Sequence, residues 1–283
     1  TYTYDPKETN SAATVAAATK DGKLYAYPLT ASNGYFLYYD SNIFSDEDVA
    51  SWEALTAKAE QAGTKVGMNV ADGWYLYGFF TGAGCKLSMN DDNSNNCDWN
   101  SATGLAVAQS IENITSSPAF VSVSDQDAIT MLNDGTLSAY VSGTWNAAEI
   151  QASLGDNYAA TKLPTYTCGD KQIQQGSVAG FKLVGVNKYS ANAGWATLLA
   201  DWITNEDNQA IRFAEREIGP SNINVAGSEE VSSNTAIAAL SEQSAYGVVQ
   251  IVGGKYWDPS KTFGEKVAQG QLKADDEAGI QAA

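Results

Sequence analysis

The sequence contains no histidine. Serine–histidine and cysteine–histidine nucleophiles and most zinc chemistry are therefore excluded within this chain, which leaves carboxylate, lysine or tyrosine chemistry. Basic residues are scarce, with 16 Lys and Arg against 33 Asp and Glu and a formal net charge of −17. Binding a phosphate backbone or an anionic lipid surface draws on Lys and Arg, so nucleic acid and membrane surfaces are disfavoured partners. There is no run of 18 apolar residues, and no charged-then-apolar leader opens the chain. A leader has either been removed or was never carried. A phosphate loop is missing too, because Gly253-Gly254-Lys255 lacks both the upstream glycine and the Ser/Thr of that motif. The polar run Asn90 to Asp98 lacks the spaced Asp/Asn ladder of a calcium loop, so no metal or cofactor is expected. Cysteine is limited to Cys85, Cys97 and Cys168. The first two bracket a hairpin-like polar run, and a Cys85–Cys97 disulfide in an oxidising compartment is the expectation, with two buried thiols as the alternative.

Hydrophobic residues make up 44% of the 283, enough for a substantial core in one large or two ordinary domains. Tyr35-Phe36-Leu37-Tyr38-Tyr39 is a continuous apolar strand of the buried kind, and Leu137 to Val141 is another. Between and after them lie helical patterns. Ser51 opens one as N-cap and Gly63 closes it; Trp74 to Gly82, after the turn Asp72-Gly73, is another, and further helices begin at Ser101 and Ser124. Lys162 to Gln175 reads as loop, Val178 to Val186 as strand, and Ala191 to Thr204, Glu206 to Glu217 and Ser228 to Tyr246 as helix. Alternation of strand and helix without an internal repeat gives the α/β class.

Aromatic residues are plentiful, with 7 Trp, 15 Tyr and 8 Phe. Trp74, Trp145 and Trp257 each sit beside a turn, where a flat ring can meet the C–H face of a sugar. Trp52, Trp195 and Trp202 lie in helical patterns and read as core. Asp91-Asp92 and Asp275-Asp276-Glu277 read as solvated turn and helix-start charge, not as a catalytic pair.

The order of motifs adds a resemblance. Asp21-Gly22-Lys23-Leu24-Tyr25-Ala26-Tyr27-Pro28, then Tyr35 to Asp40, then Ser51-Trp52-Glu53 resemble the maltose-binding protein family of extracellular solute-binding proteins. Ser142-Gly143-Thr144-Trp145, Tyr158 to Pro164 and Ala191 to Phe213 are similar to later motifs of that family. The form Asn33 to Tyr39 looks like members from Gram-positive gut bacteria.

This resemblance implies a two-lobed α/β fold of the periplasmic-binding-protein type, closing on sugar by a hinge. The second lobe would be residues 33–180 and 229–283. An incomplete first lobe would be 1–32 and 181–228, as in a chain truncated at both ends. By the same resemblance Trp74, Trp145 and Trp257 stack on sugar, Asp72 binds its hydroxyls, Lys261 is a basic residue of the same wall, and Asn33 lies near a hinge-side ligand. Ser124 stands where the family has an aromatic. The implied role is extracellular binding of malto-oligosaccharides by a monomer tethered through a lipid anchor, with delivery to ABC transporter permeases. A secreted carbohydrate-active enzyme and a surface glycan-adhesion module are the alternatives. A glycosidase would need two carboxyls at a set separation, and no such pair stands out.

Overall fold

The computed structural model describes residues 5–283, so the first four residues of the expected 1–32 segment lie outside the described ones. Eight of the described strands build two principal sheets. They are β1 (Ala26–Asn33), β2 (Phe36–Asp40), β3 (Lys65–Gly67), β4 (Phe120–Val121), β5 (Leu137–Ser142), β6 (Tyr158–Thr161), β7 (Ser177–Gly185) and β8 (Gly247–Val249). The larger sheet runs β6–β2–β5–β3–β4 and the smaller β8–β7–β1.

The larger sheet explains why its central strands are unbroken apolar runs: both faces are covered. Tyr35, Leu37, Tyr39, Ala139 and Val141 enter one core, while Phe36, Tyr38, Leu137 and Tyr140 enter the other. In the antiparallel β2–β5 ladder Leu37 stands opposite Val141 and Tyr38 opposite Tyr140, so each face keeps its own residues. The first core is closed by the helices Trp52–Ala62, Gly73–Gly82 and Ala102–Thr115. Trp52 is fully buried there, and its Nε1 donates to Gln175 Oε1 at 2.6 Å. The second core is closed by Asp125–Asn133, Ala147–Leu154 and Thr235–Ser244. Helix ends follow the expected signals. Ser51 Oγ accepts from Ala54 N–H at 3.2 Å, and Gly63 takes the left-handed φ of 71° that ends the helix.

Some expectations need correction. The passage Lys162 to Gln175 contains a hairpin, Thr165–Cys168 against Lys171–Gln174. Ser228 to Tyr246 breaks into Glu229–Ser232 and Thr235–Ser244. The expected hairpin between Cys85 and Cys97 exists, Leu87–Met89 against Asn95–Cys97. All three thiols are free in this structure. The register sets Cys97 opposite Leu87 and leaves Cys85 on the diagonal. Diagonal neighbours lie about 7–8 Å apart, at the edge of a disulfide's reach.

In the smaller sheet β7 runs antiparallel to β1 and parallel to β8. The β7–β1 register slips between Gly180 and Lys182 and again between Lys182 and Leu183. The helices Ala193–Thr204 and Glu206–Arg216 follow. Trp195 and Trp202, expected in the core, are 75% and 59% exposed. With Leu198 and Leu199 they form a stripe at helical spacing that faces solvent, while Ala200 and Thr204 are buried.

Candidate functional site

The helix Gly73–Gly82 begins at Asp72, whose Oδ1 accepts from Trp74 N–H at 2.8 Å. This cap places Trp74 in the first turn, half-buried, with its ring 5.1 Å from Tyr75 and 4.7 Å from Tyr35. The Tyr35 hydroxyl donates to the carbonyls of Trp74 and Tyr75, which ties the helix start to the strand-edge residue before β2.

Trp145 arrives from the other direction. At the end of β5, Ser142 and Gly143 lead into a single tight turn, Thr144–Asn146. Gly143 has φ −114° and ψ −173°, an extended conformation any residue adopts, so the glycine is not required by the backbone. It is required by the ring: a Cβ there would lie 2.5 Å from Cε3 of Trp145 and closer still to Cζ3 and Cη2. Thr144 is buried and does not cap the helix that follows. The two tryptophan rings stand 5.7 Å apart at 49°.

Both indole N–H groups are held. Trp74 Nε1 donates to Gln250 Oε1 at 3.1 Å, and Trp145 Nε1 donates to Asp125 Oδ2 at 3.0 Å. Asp125 is the first residue of the helix Asp125–Asn133, capped by Ser124, whose Oγ accepts from Asp127 N–H at 3.3 Å. Burial pushes the Tyr140 and Tyr75 hydroxyls well above the usual phenol range, and the charge of Asp125 adds to this for both. These hydroxyls stay protonated and available as donors.

Trp257 joins this wall indirectly. It opens the helix Trp257–Ala268, so Asp258-Pro259, expected as a turn, is instead its first turn, where a proline is tolerated. Its ring lies 5.1 Å from Tyr256, and the Tyr256 hydroxyl donates to Gly73 O at 2.7 Å, next to Asp72. Lys261 is one turn further on, exposed, with Nζ 3.7 Å from Glu265. Asn33 stands apart, at the end of β1 opposite Gly180. The structure thus brings Trp74, Trp145 and Asp72 into one cluster, sets Trp257 and Lys261 on the adjoining helix, and leaves Asn33 on the smaller sheet. Sequence reading missed Asp125 and Gln250. Asp125 was hidden in an ordinary helix-start pattern, and Gln250 had no local signal.

A separate apolar cavity of about 320 Å³ lies between Phe80, Leu87, Trp99, Leu105, Phe263 and Ile280. None of the three site tryptophans lines it.

Residues 1–239 match a family described as bacterial extracellular solute-binding protein. A structure solved with acarbose is 31% identical, with a TM-score of 0.86 over 98% of this chain and 73% of that one. The maltodextrin-binding protein MalE1 from L. casei BL23, without ligand, is 24% identical with a TM-score of 0.82, covering 98% and 74%. The Thermus thermophilus maltotriose-binding protein bound with maltotriose is 20% identical with a TM-score of 0.77, covering 98% and 77%. Comparison with curated protein sequences gives no match.

Proposed function

This chain belongs to the bacterial extracellular solute-binding proteins, and on that premise we propose that it binds malto-oligosaccharides, or a closely related oligosaccharide, for delivery to an ABC importer. The observation that carries the sugar is the pair of half-buried indoles, Trp74 and Trp145, 5.7 Å apart beside the Asp72 carboxylate. Such rings supply apolar faces for pyranose C–H surfaces at low entropy cost, and the neighbouring carboxylate accepts from hydroxyls. The acarbose-bearing relative at 31% identity supports the same ligand class.

In this reading Trp74 and Trp145 stack on the sugar. Trp257 and Lys261 extend the wall, Asp72 takes hydroxyl protons, and Asn33 approaches from the smaller sheet. The two-sheet architecture supports a division into lobes of 33–180 with 229–283 and 1–32 with 181–228. β1 ends at the first of those boundaries and β7 runs across the second. The protein acts as a monomer, tethered outside the cell through a lipid anchor, and hands its ligand to permease subunits without altering it. Calorimetric titration with maltotetraose, followed by chromatography of the recovered sugar, tests this. Saturable binding with intact maltotetraose is the expected result. Cleaved sugar would favour an enzyme, and no heat with any malto-oligosaccharide would reject the ligand class.

A further inference from the structure

Asp125 gathers three donors. Its Oδ1 accepts from Tyr140 Oη at 2.9 Å and Ser142 Oγ at 3.2 Å, and its Oδ2 accepts from Trp145 Nε1 at 3.0 Å. Tyr140 and Ser142 are fully buried and point to the same face of β5, two residues apart. Both are therefore fixed by the sheet. Asn146 Nδ2 donates to Ser142 Oγ at 3.0 Å, which closes the turn carrying Trp145 back onto the same group. Among the described residues the ion pairs are Lys162–Glu242 and Lys261–Glu265, and neither involves Asp125. Its charge is balanced by hydrogen-bond donors and by the start of its own helix.

Of the three donors, only the indole belongs to a ring that reaches the surface. The bond to it spans 20 residues and is charge-assisted, the stronger kind of hydrogen bond. An indole anchored at one edge to a carboxylate that is itself held by a strand cannot rotate about its side-chain torsions without breaking that bond. We infer that Asp125 is a positioning residue: it locks the Trp145 ring in the orientation that a sugar stacks on, so that ligand affinity depends on a carboxylate acting through the ring. The affinity part of this inference rests on the sugar-binding reading above; the ring-locking part does not. Pre-setting the ring removes an ordering cost that binding would otherwise carry.

The test uses the whole chain with 15N-labelled tryptophan, the Trp145 indole resonance being assigned by its loss in Trp145→Phe. In the unmutated, sugar-free chain the Trp145 indole proton should exchange about tenfold more slowly than that of Trp195, whose ring is 75% exposed. Equal rates would overturn the inference. Asp125→Ala should shift that resonance and speed its exchange; an unmoved resonance would also overturn it. Asp125→Asn, which offers a single acceptor oxygen to three donors, serves if the alanine variant fails to melt cooperatively. With maltotetraose as probe, Asp125→Ala should weaken binding about tenfold in the parent chain, but less than about twofold in the Trp145→Phe background. Equal losses in both backgrounds would mean that Asp125 does not act through the indole. If the unmutated chain binds no maltotetraose, the proposed function fails, while the exchange measurements still decide whether Asp125 locks the ring.

Discussion

Gly143→Ala is a substitution whose effect falls on one ring. The backbone at Gly143 is extended, so alanine is unstrained there and lowers the entropy of the unfolded chain by about 0.4–1 kcal/mol in favour of folding. The added methyl, however, would lie 2.5 Å or less from the six-membered ring of Trp145, where carbon–carbon contacts settle at about 3.5–4.0 Å. The backbone cannot readily withdraw, because Gly143 O accepts from the buried Tyr38 hydroxyl at 3.0 Å. The ring must give way by about 1 Å or more, breaking its bond to Asp125, a charge-assisted contact that contributes about 1.5–3 kcal/mol. After the backbone gain, the net stability change should be about 1–2 kcal/mol, a drop of about 2–8 °C in a protein of this size.

Binding should suffer more. Displacing a central aromatic anchor costs about 2 kcal/mol or more, which is about 30-fold in maltotetraose affinity by calorimetry. The decisive comparison is with Trp145→Ala, where the clash disappears. Adding Gly143→Ala to that background should leave affinity unchanged and, with only the backbone gain left, raise the melting temperature by about 1–4 °C. If Gly143→Ala alone bound as tightly as the parent, or if the two losses were additive, the reasoning from ring contact would be wrong.

Glu112 is 4% exposed, its Oε1 has no partner, and burial pushes its carboxyl up to about 7 from an ordinary 4.5. A raised carboxyl favours folding below the unfolded value and loses that contribution as pH climbs to the folded one. Stability should therefore fall by about 2 kcal/mol between about pH 4.5 and 7; Glu112→Gln should melt about 5 °C higher at pH 8 and no higher at pH 4, and equal shifts at both would exclude this origin. The Trp195–Trp202 stripe should bind an apolar dye such as anilinonaphthalene sulfonate. Trp195→Gln with Trp202→Gln should abolish that fluorescence at a cost below about 1 kcal/mol by denaturant melt, whereas a large destabilisation would place the rings inside. Burial raises the Cys85 thiol to about 11, with Asp98, Cys168 and Cys97 adding to it, while Cys97 is exposed. Alkylation followed by mass spectrometry should label Cys97 before Cys85; labelling of neither would mean that the bond between them is made.

What the sequence revealed was local. The apolar runs Tyr35 to Tyr39 and Leu137 to Val141, the Ser51 cap and the Gly63 stop all act within a few residues, and each is where its pattern indicated. The Trp195–Trp202 stripe has the same periodicity as a buried face, and periodicity does not say on which side of a helix the rest of the fold lies. The hairpin at Thr165–Gln174 was hidden because polar residues alternate on a half-exposed ladder. At the site, the three tryptophans could be singled out by their place beside turns. The groups that hold two of them could not, because Asp125 is 20 residues from Trp145 and Gln250 is 176 from Trp74. Gly143 stands in a motif the sequence offers, but its role, leaving room for a ring two residues on, is one that only packing reveals.

The slipped register in β7 bears on how the molecule yields under load. From Leu183 to Gly185 the strand is laced to β1 residue by residue, and at Ser177 to Ala179 it is laced to β8. Between them, around Gly180 to Lys182, the ladder to β1 is irregular and its neighbours are offset. A sheet flexes most cheaply where fewest regular hydrogen bonds must stretch together, so bending concentrates in those few residues. In mechanical terms this strand is two stiff rods joined by a short compliant section. An added pair of regular ladder bonds there would raise the force constant of the whole smaller sheet.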